Sequence, residues 1–365
     1  MTILSLVNMR DGYLGENLIF IISQPRSGST LLQRVLAGHP DILTSAETWL
    51  MLHPLYGLRR EGVTTEYESA WARTGVKEFL THYTDGLDTY DQGIRAFSQT
   101  IYGNALNRAG KTYFLDKTPR YYYVAQELYR VLPKAQFIFL LRNPMAVLAS
   151  ELNTYVKDNL RFLSAFRDDL LLAPQMILDA IDHMGSRANV VHYETFVRNP
   201  ANAIANLCER LGLDYHQDML SYADTPAPQG KMNDPVGIHR HASPSTASVD
   251  RWKEMADDSQ KRHFAMSYLN ALGPATISKL GYSYEDISHA ISATGANTLD
   301  PGVFPWSIAI TQEEKWSMKQ RMRVRHRAAV AKWGLFVGTV VGILTNGLLL
   351  ARNVQKAIGV GSSKA

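Results

Sequence analysis

The chain has 365 residues, 45% of them hydrophobic and 20% charged, which is enough to bury a sizeable core in one large domain or two average ones and excludes wholesale disorder. Its formal net charge of +4 gives no case for a nucleic-acid partner, because the excess is local: residues 315–332 carry seven Lys/Arg and no acids. One cysteine, Cys208, excludes an intrachain disulfide and fits a reducing compartment; on a predicted helix it reads as a core thiol.

The opening "MTILSLVNMRDGYLGENL" has too short an apolar run for a secretory signal or an anchor. "ENLIFIIS" is a continuous apolar run of strand length, the pattern of a strand buried on both faces of a parallel sheet. The turn "QPRSGST" follows, then a helix over about 29–37, closed by Gly38 and Pro40. The frame GxxxxGK[ST] nearly fits residues 23–30, with Ser23 in place of the first Gly and Ser29 in place of the Lys. Such a turn offers the backbone N–H groups of Ser27, Gly28, Ser29 and Thr30, hydroxyls, and the Arg26 guanidinium to a phosphate or phosphosulfate. It lacks the lysine that serves ATP's terminal phosphates.

Residues 48–130 read as helices with Tyr/Trp-rich loops, an insertion on the substrate side. The second unit, "AQFIFLLRNPMAVLASELNTY", gives a strand over 136–141, Asn143 as N-cap, Pro144 at the first helical position and a helix to about Tyr155. The third, "NVVHYETFVRNPANAIANLCERLGL", gives a strand through 190–192, a second Asn-Pro start at Asn199 and Pro200, and Gly212 as a stop. Three strand-to-helix units imply a parallel α/β sheet flanked by helices, with right-handed crossovers. In such a sheet ligands bind beyond the carboxyl ends of the strands. Arg142 lies at a strand end and Ser150 about two helical turns on, so the two could pinch one phosphate.

Residues 214–250 read as a long ordered loop, after which "RWKEMADDSQKRHFAMSYLNALGPATISKLGY" resumes helical periodicity. A catalytic domain over 1–290 is expected, then a linker over 291–312 and a basic amphipathic helix over 313–332, whose Trp316, Met318 and Met322 among arginines suit an anionic lipid surface. Residues 333–351 hold 19 residues without a charge, enough to cross about 30 Å of hydrocarbon as a helix. A buried C-terminal helix or hairpin is the alternative. Gly334, Gly338 and Gly342 share a face and could support self-association, the basic excess upstream puts the catalytic domain on the cytoplasmic side, and 352–365 form a tail. No spacing of His, Cys, Asp and Glu suggests a metal-ligand set.

The stretches "SQPRSGSTLLQRVLAGHPDILTSAETW", "DKTPRYY", "FIFLLRNPMAVLAS" and "VVHYETFVRNPANAIANLCERLGL", in that order, resemble the PAPS-dependent sulfotransferases, closest to the tyrosylprotein and bacterial types with a Pro-Arg-Ser-Gly loop. The resemblance covers roughly 17–255. It implies a P-loop-like α/β fold and transfer of a sulfuryl group from 3′-phosphoadenosine-5′-phosphosulfate (PAPS) to an acceptor hydroxyl or amine. By the same resemblance Arg26, Ser27, Gly28, Ser29 and Thr30 hold the 5′-phosphosulfate, Arg142 and Ser150 the 3′-phosphate, and Tyr193 lies near the adenine. Glu47 falls on the family's general base and Lys117 on a lysine near the bridging oxygen, where with Arg26 it would offset charge on the leaving phosphate. Arg251 is a further candidate for the 3′-phosphate. His39 and His53, each before a proline, are rival bases.

The pattern departs from the family at Ser23 and Ser29, and "SPSTASVDRWK" lacks the glycine of the family's nucleotide-closing loop. Two other classes stay open. A P-loop kinase would need ATP with Mg²⁺, and a non-catalytic nucleotide-binding membrane protein would bind the nucleotide without transfer. The acceptor is open among a glycan, a lipid, a small metabolite and a peptide tyrosine.

Overall fold

The computed structural model describes residues 12–59, 62–63, 65–156, 166–221, 229 and 243–292. The chain runs β1 (Leu18–Ser23), α1 (Ser29–Ala37), β2 (Ile42–Thr44), α2 (Leu52–Tyr56), α3 (Ser69–Tyr83), α4 (Leu87–Ala109) and β3 (Tyr113–Lys117). It continues through α5 (Ala125–Val131), β4 (Gln136–Leu141), α6 (Pro144–Glu151), α7 (Arg167–Leu171), α8 (Ala173–Met184) and β5 (Ala188–His192). Then come α9 (Tyr193–Arg198), α10 (Pro200–Leu211), α11 (Ser259–Lys279) and α12 (Tyr284–Ser292).

The strands form one parallel sheet in the order β2-β3-β1-β4-β5. β1 is central and buried along its whole length, which is why "LIFIIS" is apolar without alternation. Its side chains still divide by parity. Leu18, Phe20 and Ile22 pack with Phe137 and Phe139 against Tyr102 of α4, Leu128 of α5 and Ile177 of α8. Ile19 and Ile21 pack with Leu115 and Ile138 against Leu32 of α1, Phe196 of α9 and Leu207 of α10. The result is a helix-sheet-helix sandwich with two cores. Cys208 is buried in the second core, and burial pushes its thiol up to about 11, in keeping with a packing role.

All three expected strand-to-helix units are present. Asn143 caps α6 by accepting from Met145 N at 2.9 Å, and Gly212 ends α10 in the left-handed conformation, φ 70°. The reading of 48–130 as helices and loops needs correcting, because β3 lies inside it, hydrogen-bonded between β2 and β1. β3 was hidden because its last two residues are charged, and β2 because it is only three residues long. The helix after β4 is α-helical only to Glu151; Leu152–Val156 form a π-turn, a wider coil that recurs near functional sites.

Among the described residues no helix is long and apolar enough to cross a membrane. The middle of the expected 214–250 loop, the basic helix, the apolar run 333–351, its glycines and the tail lie outside the described residues, as does the linker beyond Ser292.

Candidate active site

The site begins where β1 meets α1. Gln24 anchors the turn by donating from Nε2 to Asp169 O at 3.0 Å, and Ser27 N bonds back to Gln24 O at 3.3 Å. Two positions of positive φ follow, with Ser27 between them. Arg26 has φ 67°, uncommon for a residue with a side chain, and Gly28 has φ 92°. Gly28 is required twice over, since a Cβ there would stand 2.5 Å from the Tyr193 ring. Ser29 and Thr30 then open α1, and first-turn N–H groups have no carbonyl one turn back to take. The Ser27 hydroxyl is buried with no hydrogen-bond partner among the described residues.

Arg26 reaches across to the end of α6. Its Nε donates to Ser150 Oγ at 3.1 Å, its Nη2 to Thr154 Oγ1 at 3.4 Å, and its guanidinium lies 5.5 Å from the Tyr155 ring centroid. The hydroxyl expected at the second anion site is thus bonded to the arginine of the first, and the π-turn supplies the other two contacts. Arg142 closes the loop from the opposite side: Nη1 donates to Arg26 O at 2.8 Å and Nη2 to Ser248 O at 3.0 Å. Its guanidinium lies 4.3 Å from the Tyr193 ring centroid, and the Tyr193 and Ser248 hydroxyls bond at 2.7 Å. Burial pushes Arg142 below its ordinary value, the charges of Tyr193 and Glu194 resisting this and that of Arg26 adding to it. Arg142 Nε is buried without a hydrogen-bond partner among the described residues. Two buried, unmatched polar groups, Ser27 Oγ and Arg142 Nε, flank this turn, and an anionic ligand fits both.

The third component lies at the end of β3. Ile21 of β1 pairs with Lys117, so the lysine sits beside the strand that feeds the turn. Lys117 Nζ and Glu47 Oε1 are 2.9 Å apart, with side chains 1% and 20% exposed. Asp116, the preceding residue, points to the opposite face. It is fully buried and accepts from Thr48, Tyr102 and Tyr121 at Oδ2 and from Thr118 at Oδ1, over 2.6–3.1 Å. Burial raises its carboxyl above the ordinary value, against the pull of those four hydroxyls. Trp49 N donates to Thr118 Oγ1 at 3.3 Å and Met51 N to Tyr121 OH at 3.2 Å, so the segment carrying Glu47 is tied to the end of β3. Trp49 itself has φ 56°, a strain of about 1–3 kcal/mol of the kind found at functional sites.

Residues 18–217, more than half of the chain, match the family described as the sulfotransferase family. The chain belongs to the sulfotransferase family. Nodulation protein NoeE of Sinorhizobium fredii (strain NBRC 101917 / NGR234) is 38% identical over 136 residues, 37% of this chain and 31% of NoeE, so the match spans under a third of that relative. A putative protein-tyrosine sulfotransferase of Caenorhabditis briggsae is 24% identical over 226 residues, 60% of this chain and 74% of the relative. The solved sulfotransferase domain from the curacin biosynthetic pathway has a TM-score of 0.48 at 21% identity, covering 74% of this chain and 99% of that domain.

The sulfotransferase thus brings together Arg26, Ser27, Gly28, Ser29, Thr30, Arg142, Ser150 and Tyr193 around one turn, with Glu47 and Lys117 at the adjoining strand end. Arg251 stays apart. It is exposed at the start of the 3-10 stretch Arg251–Asp257, which buries the next residue, Trp252, and no hydrogen bond or ion pair joins it to Arg142 or Ser150 among the described residues. His39 is buried with Nδ1 accepting from Asp41 N at 3.1 Å, and His53 is exposed on α2.

Sequence reasoning missed Thr154, Tyr155, Ser248, Asp116, and the pair Arg120–Asp169. Arg120 is bidentate on Asp169, which also accepts from Tyr122 OH at 2.7 Å, and its guanidinium lies 5.5 Å from the Trp49 ring centroid. Burial disfavours the Arg120 charge, but Asp169 outweighs that and raises its pKa. The one available signal was "DKTPRYYY", which sets Asp116, Lys117, Arg120 and Tyr122 within seven residues.

Proposed function

We propose that this sulfotransferase takes its sulfuryl group from PAPS and passes it to an acceptor hydroxyl, with Glu47 as general base and Lys117 and Arg26 as electrostatic stabilisers. The carrying observation is the 2.9 Å contact between Lys117 Nζ and Glu47 Oε1 on the strand beside the anion-type turn. When bound, the donor supplies an activated sulfuryl group beside that pair. Arg26 and the N–H groups of Ser27, Gly28, Ser29 and Thr30 hold its 5′ end, while Arg142 and Ser150 take the 3′-phosphate and Tyr193 the base. The unmatched Ser27 hydroxyl and Arg142 Nε support this reading. Glu47 accepts the acceptor's hydroxyl proton as its oxygen attacks sulfur, and Lys117 and Arg26 offset the negative charge left on the departing phosphate. A protein tyrosine is the acceptor named among the relatives, and a glycan, a lipid and a small metabolite are the others this site suits. Anchoring through 333–351, with the catalytic domain facing the cytoplasm, completes the proposal.

Calorimetric titration with 3′,5′-adenosine bisphosphate and with 5′-AMP tests it. The 3′-phosphate is expected to raise affinity at least tenfold through Arg142. Equal affinities, or no transfer of label from sulfur-labelled PAPS to any fraction of a host extract, would sink the reading.

A further inference from the structure

The hairpin of α3 and α4 carries an apolar face that is uncovered among the described residues. Along α3 only Leu80 is buried, while Trp71, Phe79 and Tyr83 are 76%, 58% and 78% exposed; Tyr67 and Leu87 at its two ends are exposed as well. At about 100° per residue, Ala72, Val76, Phe79 and Tyr83 form one stripe with Trp71 and Gly75 beside it, roughly a quarter turn from Leu80. A helix of this length is marginal in water without an apolar face to bury. Gly75 sharpens the point. Mid-helix glycine is unfavourable, and nothing lies within 4 Å of where its Cβ would stand, so nothing among the described residues requires it.

We infer that this face docks a second copy of the same chain, α3 against α3, antiparallel about a two-fold axis at Phe79. Residues equally far from Phe79 then meet. Phe79 touches its own equivalent, and Tyr83 lies over Gly75 of the partner subunit. The missing side chain at Gly75 becomes the space that the Tyr83 ring fills. A two-fold contact of this kind is isologous and closed, so it stops at the dimer. Aromatic side chains bury about 150–250 Å² each, so the exposed parts of Tyr67, Trp71, Phe79 and Tyr83 on two copies supply roughly 1,000 Å², the lower end of what a specific interface needs. Charge speaks against an anionic lipid surface, because residues 66–88 set Glu66, Glu68, Glu78, Asp85 and Asp88 against Arg73 and Lys77.

The native cysteine is buried, so single engineered cysteines report the contact cleanly. Full-length Phe79→Cys, oxidised under native conditions, is expected to give a covalent dimer. Lys77→Cys, on the opposite side of the helix, is expected to give none. In sedimentation velocity the wild type is expected to run as a dimer, Phe79→Glu as a monomer with an unchanged circular dichroism spectrum, and Gly75→Leu with a dissociation constant raised at least tenfold. No cross-link at position 79, equal cross-linking at 77, or a dimer that survives Phe79→Glu overturns the proposal. So does a wild-type monomer that binds phosphatidylcholine vesicles through Phe79.

Discussion

Thr48 donates its hydroxyl hydrogen to Asp116 Oδ2 at 2.6 Å, and the two residues are the chain neighbours of Glu47 and Lys117. The reactive-type pair is therefore held one residue away by a buried network and not by its own attraction alone. Thr48→Val leaves Asp116 with three donors. A hydrogen bond to a buried charged group is worth about 1.5–3 kcal/mol. Denaturant unfolding is expected to show a loss of that size, and turnover a lower kcat with nucleotide affinity retained. A stable variant with full kcat would show that the network does not position Glu47.

Glu47→Gln keeps an acceptor for Lys117 and removes the base. The expected outcome is a fall in kcat of about 10²–10⁴, with binding of 3′,5′-adenosine bisphosphate unchanged. Glu47→Ala also strands a buried ammonium, a change that costs up to about 3–5 kcal/mol in a fully buried pair and less here because Glu47 is 20% exposed. Turnover by Glu47→Gln at the wild-type rate rejects Glu47 as the base.

Gly28→Ala places a methyl where the Tyr193 ring stands and forces a side-chain residue to φ 92°. Strain of about 1–3 kcal/mol is expected in chemical denaturation, together with weaker nucleotide binding as Tyr193 shifts away from Arg142. If both quantities match the wild type, the turn is looser than its geometry implies.

His39 gives the fold a dependence on pH. Burial holds its imidazole below the ordinary value near 6.5, and the nearby His216 charge adds to this while Asp41 and Asp214 oppose it. Between the ordinary value and the lower folded one, the unfolded chain binds a proton that the folded chain refuses. Stability therefore falls as pH drops through that window, by at most about 1.4 kcal/mol per pH unit. His39→Asn retains an oxygen for Asp41 N and cannot titrate, so its stability against pH is expected to be flatter there. Parallel curves for the two proteins would assign the acid sensitivity elsewhere.

The strands β1 and β4 were legible in the sequence because each is an apolar run ended by an Asn or Pro signal, and β5 was legible as an apolar run before the Asn-Pro start of α10, although α9 between them was not foreseen. The turn at Arg26 and the strand end at Arg142 were legible for the same reason. β3 was not, since Asp116 and Lys117 break its apolar run, and their burial depends on Tyr102, Thr48 and Glu47 arriving from distant segments. Ser150 was placed on its helix, but its hydrogen bond from Arg26 was not foreseen. Periodicity fixes the side of a helix a residue occupies, and it could not foresee that a strained Arg26 would turn toward that side. Ser248, which bonds both Arg142 and Tyr193, lies in a 3-10 turn with no periodic signal at all.

Because Asp116 and Lys117 are consecutive on one strand, they look in opposite directions, one into the hydroxyl cage and the other toward Glu47. Inserting or deleting a single residue within β3 would exchange them, driving an ammonium among the tyrosines and a carboxylate against Glu47. A change of chain length is therefore expected to be tolerated in the loops on either side of that strand and not within it.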